Sequence, residues 1–178
     1  MNYNINVMSM FSNELICNIL IFINNNINNE IKINDITKIF YFDRTYTMKK
    51  FKKEIGITII NYINIIRIYN SLKYYKDNKS ILEIALKNGF NSQEYYTEIF
   101  RKVIGTNPLT YKKYIKYTPS ISNNNINTIQ NNLIKIEDII IKTTNYINNR
   151  KPKNTAKKLS LSIQKNWYLE ITLFISFY

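Results

Sequence analysis

A pair of adjacent basic side chains occurs at two matching places along this chain, and such a repeat suits contact with a polyanion that itself repeats. Lys52 and Lys53 stand together, and Arg101 and Lys102 stand together 49 residues further on (101 − 52 = 49). A partner that offers two matching contacts must itself repeat, and duplex DNA presents its major groove again at each helical turn. Double-stranded DNA is therefore the partner that this spacing favours.

The basic pairs belong to a longer pattern that occurs twice in one register. The matching positions are Asp43, Tyr46, Phe51, Gly56 and Tyr62 in the first copy and Ser92, Tyr95, Phe100, Gly105 and Tyr111 in the second. Because every one of these pairs has the same 49-residue offset, the pattern predicts one structural module present in two copies.

The composition indicates a folded and strongly basic protein. The chain has 178 residues, and its hydrophobic content of 45% is ordinary for one or two small domains with a core. Lys and Arg number 25 against 12 Asp and Glu, a net charge of +13 that attracts nucleic acid or anionic lipid. A basic protein without a nucleic-acid partner is the plainer alternative.

Enzymatic and metal chemistry find little support in these residues. The chain has no histidine, which excludes histidine metal sites and both Ser-His-Asp and Cys-His catalysis. The single cysteine, Cys17, is expected in the core, and Glu137 and Asp138 are interpreted as a charged surface rather than as an acid and base pair. We therefore predict no catalytic residue, no metal-binding residue and no cofactor.

Neither end of the chain resembles a targeting or membrane segment. Residues 1–12 lack a positive region ahead of an apolar one, so no secretory signal is predicted. Residues 167–178 are apolar, but they are fewer than the ~20 that a membrane helix needs and include Glu170. A cytoplasmic protein with no membrane partner is expected.

Apolar residues at three- and four-residue steps predict a series of helices. The predicted ranges are 14–23, 31–40, 43–54, 59–75, 81–88, 93–103 and 107–117. Asp43, and either Asn91 or Ser92, are suited to cap the third and sixth of these helices, and Gly56 and Gly105 are suited to end them. A helix, a tight turn and a basic second helix in each copy describe a helix-turn-helix arrangement.

A long signature in the second copy resembles a known family. It reads Ile81-x-x-Ile84-Ala85-x-x-x-Gly89-Phe90-x-Ser92-x-x-Tyr95-Tyr96-x-x-x-Phe100-Arg101-Lys102-x-x-Gly105-x-Asn107-Pro108-x-x-Tyr111. This is similar to the signature of the AraC/XylS family of bacterial transcription regulators, and the resemblance covers residues 11–117. It implies an all-α, homeodomain-like fold with two helix-turn-helix subdomains, 31–56 and 81–105, joined by a long connector helix and followed by a C-terminal extension.

The resemblance also implies roles for individual residues. The side chains expected to contact DNA bases are Arg44, Thr45, Met48 and Lys49 on the first recognition helix, and Gln93, Glu94, Thr97 and Glu98 on the second. Those expected to contact phosphates are Lys52, Lys53, Arg101 and Lys102, with a solvated surface as the alternative for the lysines. The implied function is that of a sequence-specific transcriptional regulator that binds DNA as a monomer, with RNA polymerase as a further partner. A nonspecific or architectural nucleic-acid-binding protein is the alternative.

Four residues depart from the family pattern. Glu98 stands where a basic residue is usual, and phosphates repel a carboxylate unless it meets a cytosine amine or a neighbouring Lys or Arg. Thr47 replaces a leucine, and Thr37 and Ser71 replace alanines, so looser packing of the first subdomain is expected.

The resemblance ends near Thr118, and the rest of the chain is assigned from composition alone. Residues 119–132 are interpreted as a Ser/Asn-rich linker, 133–147 as an amphipathic helix, 150–158 as a basic segment and 159–178 as strands. The extension at 133–178 is either a small effector or dimerisation element, the start of a larger one, or a disordered basic tail that adds affinity.

Overall fold

The computed structural model describes residues 3–116 and 123–150, and every regular element within those ranges is helical. In chain order the elements are α1 (Tyr3–Asn25), α2 (Ile33–Phe40), α3 (Arg44–Ile55), α4 (Ile59–Leu72), a 3₁₀ turn (Lys73–Lys76), α5 (Ile81–Lys87), α6 (Gln93–Ile104), α7 (Pro108–Lys116) and α8 (Asn123–Arg150). The prediction of an all-α protein with two helix-turn-helix units is confirmed. The strands expected at 159–178 lie outside the described residues, and so does the basic segment expected at 150–158 except for Arg150, which ends α8.

Helix α1 is the scaffold against which α3 and α8 pack. We expected it at 14–23, but it extends from Tyr3 to Asn25 because no glycine or proline interrupts that stretch. Its buried apolar face consists of Leu15, Ile16, Ile19, Leu20 and Ile23. This face contacts α3 on one side and α8 on the other.

The two helix-turn-helix units have the same internal contacts, as the 49-residue repeat predicts. The rings of Phe51 and Tyr62 are 5.9 Å apart, and those of the matching Phe100 and Tyr111 are 5.4 Å apart. All four side chains are almost fully buried, so each pair ties a second helix to the helix that follows it. The repeat in the sequence is therefore a repeat of packing.

The caps of α3 and α6 repeat as well. A carboxylate oxygen of Asp43 accepts a hydrogen bond from the amide of Tyr46 at 2.8 Å, and the hydroxyl of Ser92 accepts one from the amide of Tyr95 at 3.1 Å. At the other end, Gly56 and Gly105 have positive φ angles of 96° and 89°, where glycine avoids the steric cost of a side chain. Both helices thus begin and end at equivalent residues.

The turns between the paired helices differ by one residue. Tyr41 follows α2 with φ 55°, and Gly89 follows α5 with φ 77°, an offset of 48 (89 − 41 = 48) instead of 49. One additional residue before Ser92 restores the common register of α3 and α6. The first unit therefore holds a large, 95% exposed side chain in the left-handed conformation that the second unit gives to glycine.

The connector α4 is buried on one face and shorter than predicted. We expected a helix over 59–75, but α4 ends at Leu72 and residues Lys73–Lys76 tighten into a 3₁₀ turn. The guanidinium of Arg67 leaves α4 and donates to the carbonyl oxygens of Ile27 at 2.9 Å and Asn29 at 2.6 Å. Arg67 also lies 5.8 Å from the centre of the Phe90 ring, so it joins the loop after α1 to the turn of the second unit.

The polar residues that replace apolar ones in the family pattern have hydrogen-bond partners. Thr47 is fully buried and its hydroxyl donates to the carbonyl of Asp43 at 2.8 Å. The buried hydroxyl of Ser71 donates to the carbonyl of Ile68 at 2.6 Å and lies 2.9 Å from the hydroxyl of Tyr96. The cost of burying these hydroxyl groups is therefore offset locally.

The linker predicted at 119–132 is wrong over most of its length, because α8 already begins at Asn123. The amphipathic helix expected at 133–147 is present within this 28-residue helix. Its buried residues are Ile129, Ile136, Ile140, Thr143, Tyr146 and Ile147, at the three- and four-residue steps of one helical face. Asparagines suggested a linker, but a regular apolar face that can pack on α1 overrides their weak helix propensity.

Candidate nucleic-acid interface

Helices α3 and α6 each bury one face and expose the other. The inner face of α3 consists of Thr47, Phe51 and Ile55, and that of α6 consists of Tyr96, Ile99, Phe100 and Ile104. Of the eight predicted base-contacting residues, Arg44, Thr45, Lys49, Gln93, Glu94 and Glu98 are exposed, and Met48 and Thr97 are half-buried. Their spacing of i, i+1, i+4 and i+5 places each set of four on one outward face.

The exposed face of α3 is tied to the helix before it. The guanidinium of Arg44, the first residue of α3, donates to the side-chain oxygen of Asn34 on α2 at 3.3 Å. Beside it, the rings of Phe42 and Tyr46 stack with their centres 5.8 Å apart. Both contacts hold the N-terminal end of α3, which is the end that enters the groove in helix-turn-helix proteins.

The four predicted phosphate-contacting residues lie in the last turns of the two helices. Lys52 and Lys53 are on α3, Arg101 and Lys102 are on α6, and all four are exposed. Cations near a helix C-terminus interact favourably with its partial negative charge. The structure thus brings each basic pair to the matching place on its unit, as the repeat predicts.

The two helices differ in charge. Helix α3 has five basic side chains and one acidic side chain, whereas α6 has two of each. On α6 the ammonium of Lys102 lies 2.6 Å from a carboxylate oxygen of Glu98, one turn earlier, and both side chains are exposed. The hydrogen bond from Lys102 to Glu98 raises the pKa of Lys102. The more cationic surface is therefore that of the first unit.

A third group of basic residues was missed by the sequence analysis. The ammonium groups of Lys73, Lys79 and Lys87 lie 5.2, 5.2 and 4.3 Å from the centre of the Tyr74 ring. These lysines come from the 3₁₀ turn, the loop after it and the end of α5, so no helical spacing connects them in the sequence. The one available signal was the density of lysine between residues 73 and 87.

Comparison with known proteins agrees with this arrangement. The model of the family described as a helix-turn-helix domain matches residues 36–114. The Tn10 TetD protein of Escherichia coli is 29% identical over 104 residues, which cover 58% of this chain and 75% of that protein. The transcriptional activator AarP of Providencia stuartii is 28% identical over 105 residues, which cover 58% of this chain and 78% of AarP.

Two solved structures share the fold. The C-terminal domain of AraT, a response regulator of Geobacillus stearothermophilus, superposes with a TM-score of 0.53 and 22% identity, covering 61% of this chain and 88% of that domain. The DNA-binding domain of the transcriptional factor AdpA, solved with a target DNA, superposes with a TM-score of 0.52 and 15% identity, covering 59% of this chain and 97% of that domain.

The paired units, with their matching caps and outward helices, define a double helix-turn-helix domain of the DNA-binding type. The match of the helix-turn-helix family model to residues 36–114, together with the similarity to AarP, identifies this segment as an AraC-type helix-turn-helix domain. Within the described residues, no helix combines the length and apolar character that a membrane span requires.

Proposed function

We propose that this protein is a sequence-specific transcriptional regulator that inserts α3 and α6 into successive major-groove segments on one side of duplex DNA. The observation that carries the proposal is the equivalence of the two outward faces. Each lies on a helix that has an N-terminal side-chain cap, a phenylalanine buried on the opposite face and a C-terminal glycine, all at matching positions. A regular duplex offers such a pair of contacts about 34 Å apart, one helical turn.

The first unit is proposed to read a guanine-containing block. Arg44 and Lys49 are exposed cations on the outward face of α3, and these side chains suit the O6 and N7 acceptors of guanine. Thr45 and Met48 complete the face and suit the methyl group of thymine.

The second unit is proposed to read a different block. Gln93 suits adenine, Glu94 and Glu98 accept from the amino group of cytosine, and the methyl group of Thr97 suits thymine. Because Glu98 pairs with Lys102 on the same helix, its negative charge is partly neutralised near the DNA backbone. That pairing supplies the neighbouring cation that the sequence required for a carboxylate at this position.

The basic pairs Lys52-Lys53 and Arg101-Lys102 are proposed to fix register by contacting phosphates. Each phosphate that they neutralise should contribute about −0.9 to the slope of log affinity against log salt.

We further propose that residues 11–117 are the functional DNA-binding domain, with units 31–56 and 81–105. This domain is proposed to act as a monomer without a cofactor, with RNA polymerase as a further partner.

A nonspecific or architectural nucleic-acid-binding protein remains the second candidate, and the net charge of +13 favours it. Such a protein binds scrambled DNA almost as well as any one site, because phosphates carry no sequence information. The difference in charge between α3 and α6 argues for two distinct readers instead of one uniform basic surface.

Selection of bound sequences from a random DNA pool tests the proposal. The full chain should enrich two short blocks about ten base pairs apart. Arg44→Ala should relax one block and Gln93→Ala the other, whereas Asn61→Ala, an exposed position on α4, should change neither. Enrichment of no motif, with binding that follows salt alone, would replace the regulator with the architectural protein.

A further inference from the structure

Helix α8 lies outside the segment that matches the helix-turn-helix family, yet it contacts the C-terminal ends of both outward helices. Near its start, Thr128 and Asn132 lie against Gly105, the residue that ends α6. Ten residues further on, Lys142 lies against Gly56, the residue that ends α3. One continuous helix therefore touches the same position in both units.

The contact with α6 depends on the absence of a side chain at Gly105. A Cβ atom placed there would lie 2.7 Å from the methyl group of Thr128 and 2.8 Å from the side-chain nitrogen of Asn132. At such distances a Cβ atom would force the side chains of Thr128 and Asn132 to move. The end of α6 and the start of α8 are thus in direct van der Waals contact.

The contact with α3 is polar. The ammonium of Lys142 donates to the carbonyl oxygen of Ile55, the last residue of α3, at 2.8 Å. The last four carbonyl groups of an α-helix have no hydrogen-bond donor within the helix, and the carbonyl of Ile55 is one of them. The partial negative charge at this end of the helix also favours a cation there. Tyr146, one turn further along α8, lies near Glu54 in the same last turn of α3.

Helix α8 is anchored to the scaffold independently of these contacts. Its apolar face packs on α1, where the thiol of Cys17 lies 3.9 Å from the carbonyl of Ile147. Helix α8 also packs against the connector α4, where the buried Thr143 lies beside Tyr62. Because α8 packs against both α1 and α4, its position does not depend on its contacts with α3 and α6 alone.

The two contact points have a fixed separation. From position 130, midway between Thr128 and Asn132, to Lys142 there are 12 residues (142 − 130 = 12), which in an α-helix span about 18 Å. The connector α4 already links the units through its contacts with α3, α5 and α6. With α8 added, α3 and α6 are joined at two places, and their relative rotation is restricted more than a single connector allows.

We propose that α8 is a brace that sets the separation and rotation of α3 and α6, and thereby the spacing between the two DNA blocks that this protein accepts. The inference rests on the proposed function. Thr128, Asn132 and Lys142 are positioning residues: they act through the ends of the outward helices and contact no DNA. One inserted base pair moves a block by about 3.4 Å and turns it by about 36°, which a braced pair of helices tolerates poorly.

The test measures affinity for the selected site and for versions with one base pair added or removed between the blocks. The unchanged protein should lose roughly tenfold in affinity at either altered spacing, because the second block no longer binds with the first. In Lys142→Met, and in the double variant Thr128→Ala with Asn132→Ala, the ratio of affinity at the optimal spacing to affinity at an altered spacing should fall to about twofold. Affinity at the optimal spacing should change little.

Matched variants on the same helix separate this effect from loss of charge or loss of helix. Lys135→Met removes the same charge from an exposed position, and Asn131→Ala truncates an exposed asparagine, so both should keep the tenfold ratio. Lys142→Arg restores a donor to the carbonyl of Ile55 and should restore the discrimination.

Two results overturn the inference, and they are distinguishable. If the unchanged protein selects two blocks but the spacing ratio is the same in Lys142→Met and in the double variant, the brace is wrong and the two-reader function stands. If the unchanged protein selects no two-block site, the proposed function and the brace fail together.

Discussion

A carboxylate oxygen of Glu98 lies 2.6 Å from the ammonium of Lys102, one turn further along α6. In the first unit the position that matches Glu98 is Lys49, so the same place carries opposite charges in the two units (98 − 49 = 49). The pair is exposed and contributes little to folding. Its effect is on the surface potential of α6, where the carboxylate of Glu98 reduces the positive charge that Lys102 presents to phosphate.

Glu98→Arg should therefore raise nonspecific DNA affinity and steepen its salt dependence. The substitution releases Lys102 and adds a second cation, so the slope of log affinity against log salt should become more negative by about 1 to 2. Asp138→Arg makes the same charge change at an exposed position on α8 and should leave the slope nearly unchanged. Equal slopes for the two variants, measured between ~50 and 200 mM salt, would show that α6 does not approach the backbone.

The turns of the two units should respond oppositely to substitution. Gly89 has φ 77°, and a Cβ there would lie 3.0 Å from the carbonyl oxygen of Asn28, so Gly89→Ala should lower the free energy of unfolding by about 2 kcal/mol. Tyr41 is exposed at φ 55°, so Tyr41→Gly should raise it by about 0.5 kcal/mol after the entropic cost of glycine. Urea denaturation measures both, and a destabilised Tyr41→Gly variant would contradict the assignment of strain to the first turn.

The two units show which local structures could be predicted from the sequence and which could not. The 49-residue repeat, the caps at Asp43 and Ser92 and the glycines at 56 and 105 are local signals, and each predicted its element correctly. The left-handed Tyr41 could not be predicted, because a tyrosine carries no preference for that conformation.

Substitution of Arg67 should lower stability, whereas substitution of Arg101 should weaken DNA binding. Arg67 is buried and donates to two loop carbonyls, so Arg67→Met should cost about 2 kcal/mol of unfolding free energy. Arg101 is exposed in the last turn of α6, so Arg101→Met should leave stability unchanged and make the salt slope shallower by about 1. Thermal unfolding and salt titration of both variants test the pair; if Arg101→Met alone proved unstable, its assignment to phosphate would be wrong.

The buried tyrosine pair predicts loss of stability at alkaline pH. The hydroxyls of Tyr75 and Tyr96 lie 2.7 Å apart; burial raises the pKa of Tyr96 to about 12, and burial followed by the neighbouring Tyr96 raises that of Tyr75 further. A tyrosine with a raised pKa stabilises the fold fully below its unfolded pKa of about 10 and loses that contribution as pH rises through its folded value. The free energy of unfolding should fall by about 2 kcal/mol for Tyr96 alone between pH 10 and 12.

Urea titrations at several pH values measure this decline. Tyr96→Phe should make it shallower, whereas Tyr46→Phe, which changes an exposed tyrosine on α3, should not. An alkaline decline that is equally steep in Tyr96→Phe would place its origin in other groups.

The placement of the proposed site residues on α3 and α6 was predictable from the sequence, but the contacts around them were not. Helical spacing placed all eight proposed base-contacting residues on α3 or α6, with none fully buried. The lysines around Tyr74 and the contact of Lys142 with Ile55 join residues from separate elements, 87 positions apart in the second case. Such contacts depend on tertiary packing, for which the asparagine-rich sequence before residue 133 gave the wrong expectation of a linker.

Methylation interference on the selected DNA site tests the central claim most directly, because N7 of guanine lies in the major groove and N3 of adenine in the minor groove. We predict that N7 methylation interferes in two blocks about ten base pairs apart on one face of the duplex, and that Arg44→Ala removes interference from one block only. Interference at adenine N3 alone, or none at any guanine within a bound site, would contradict insertion of α3 and α6 into the major groove.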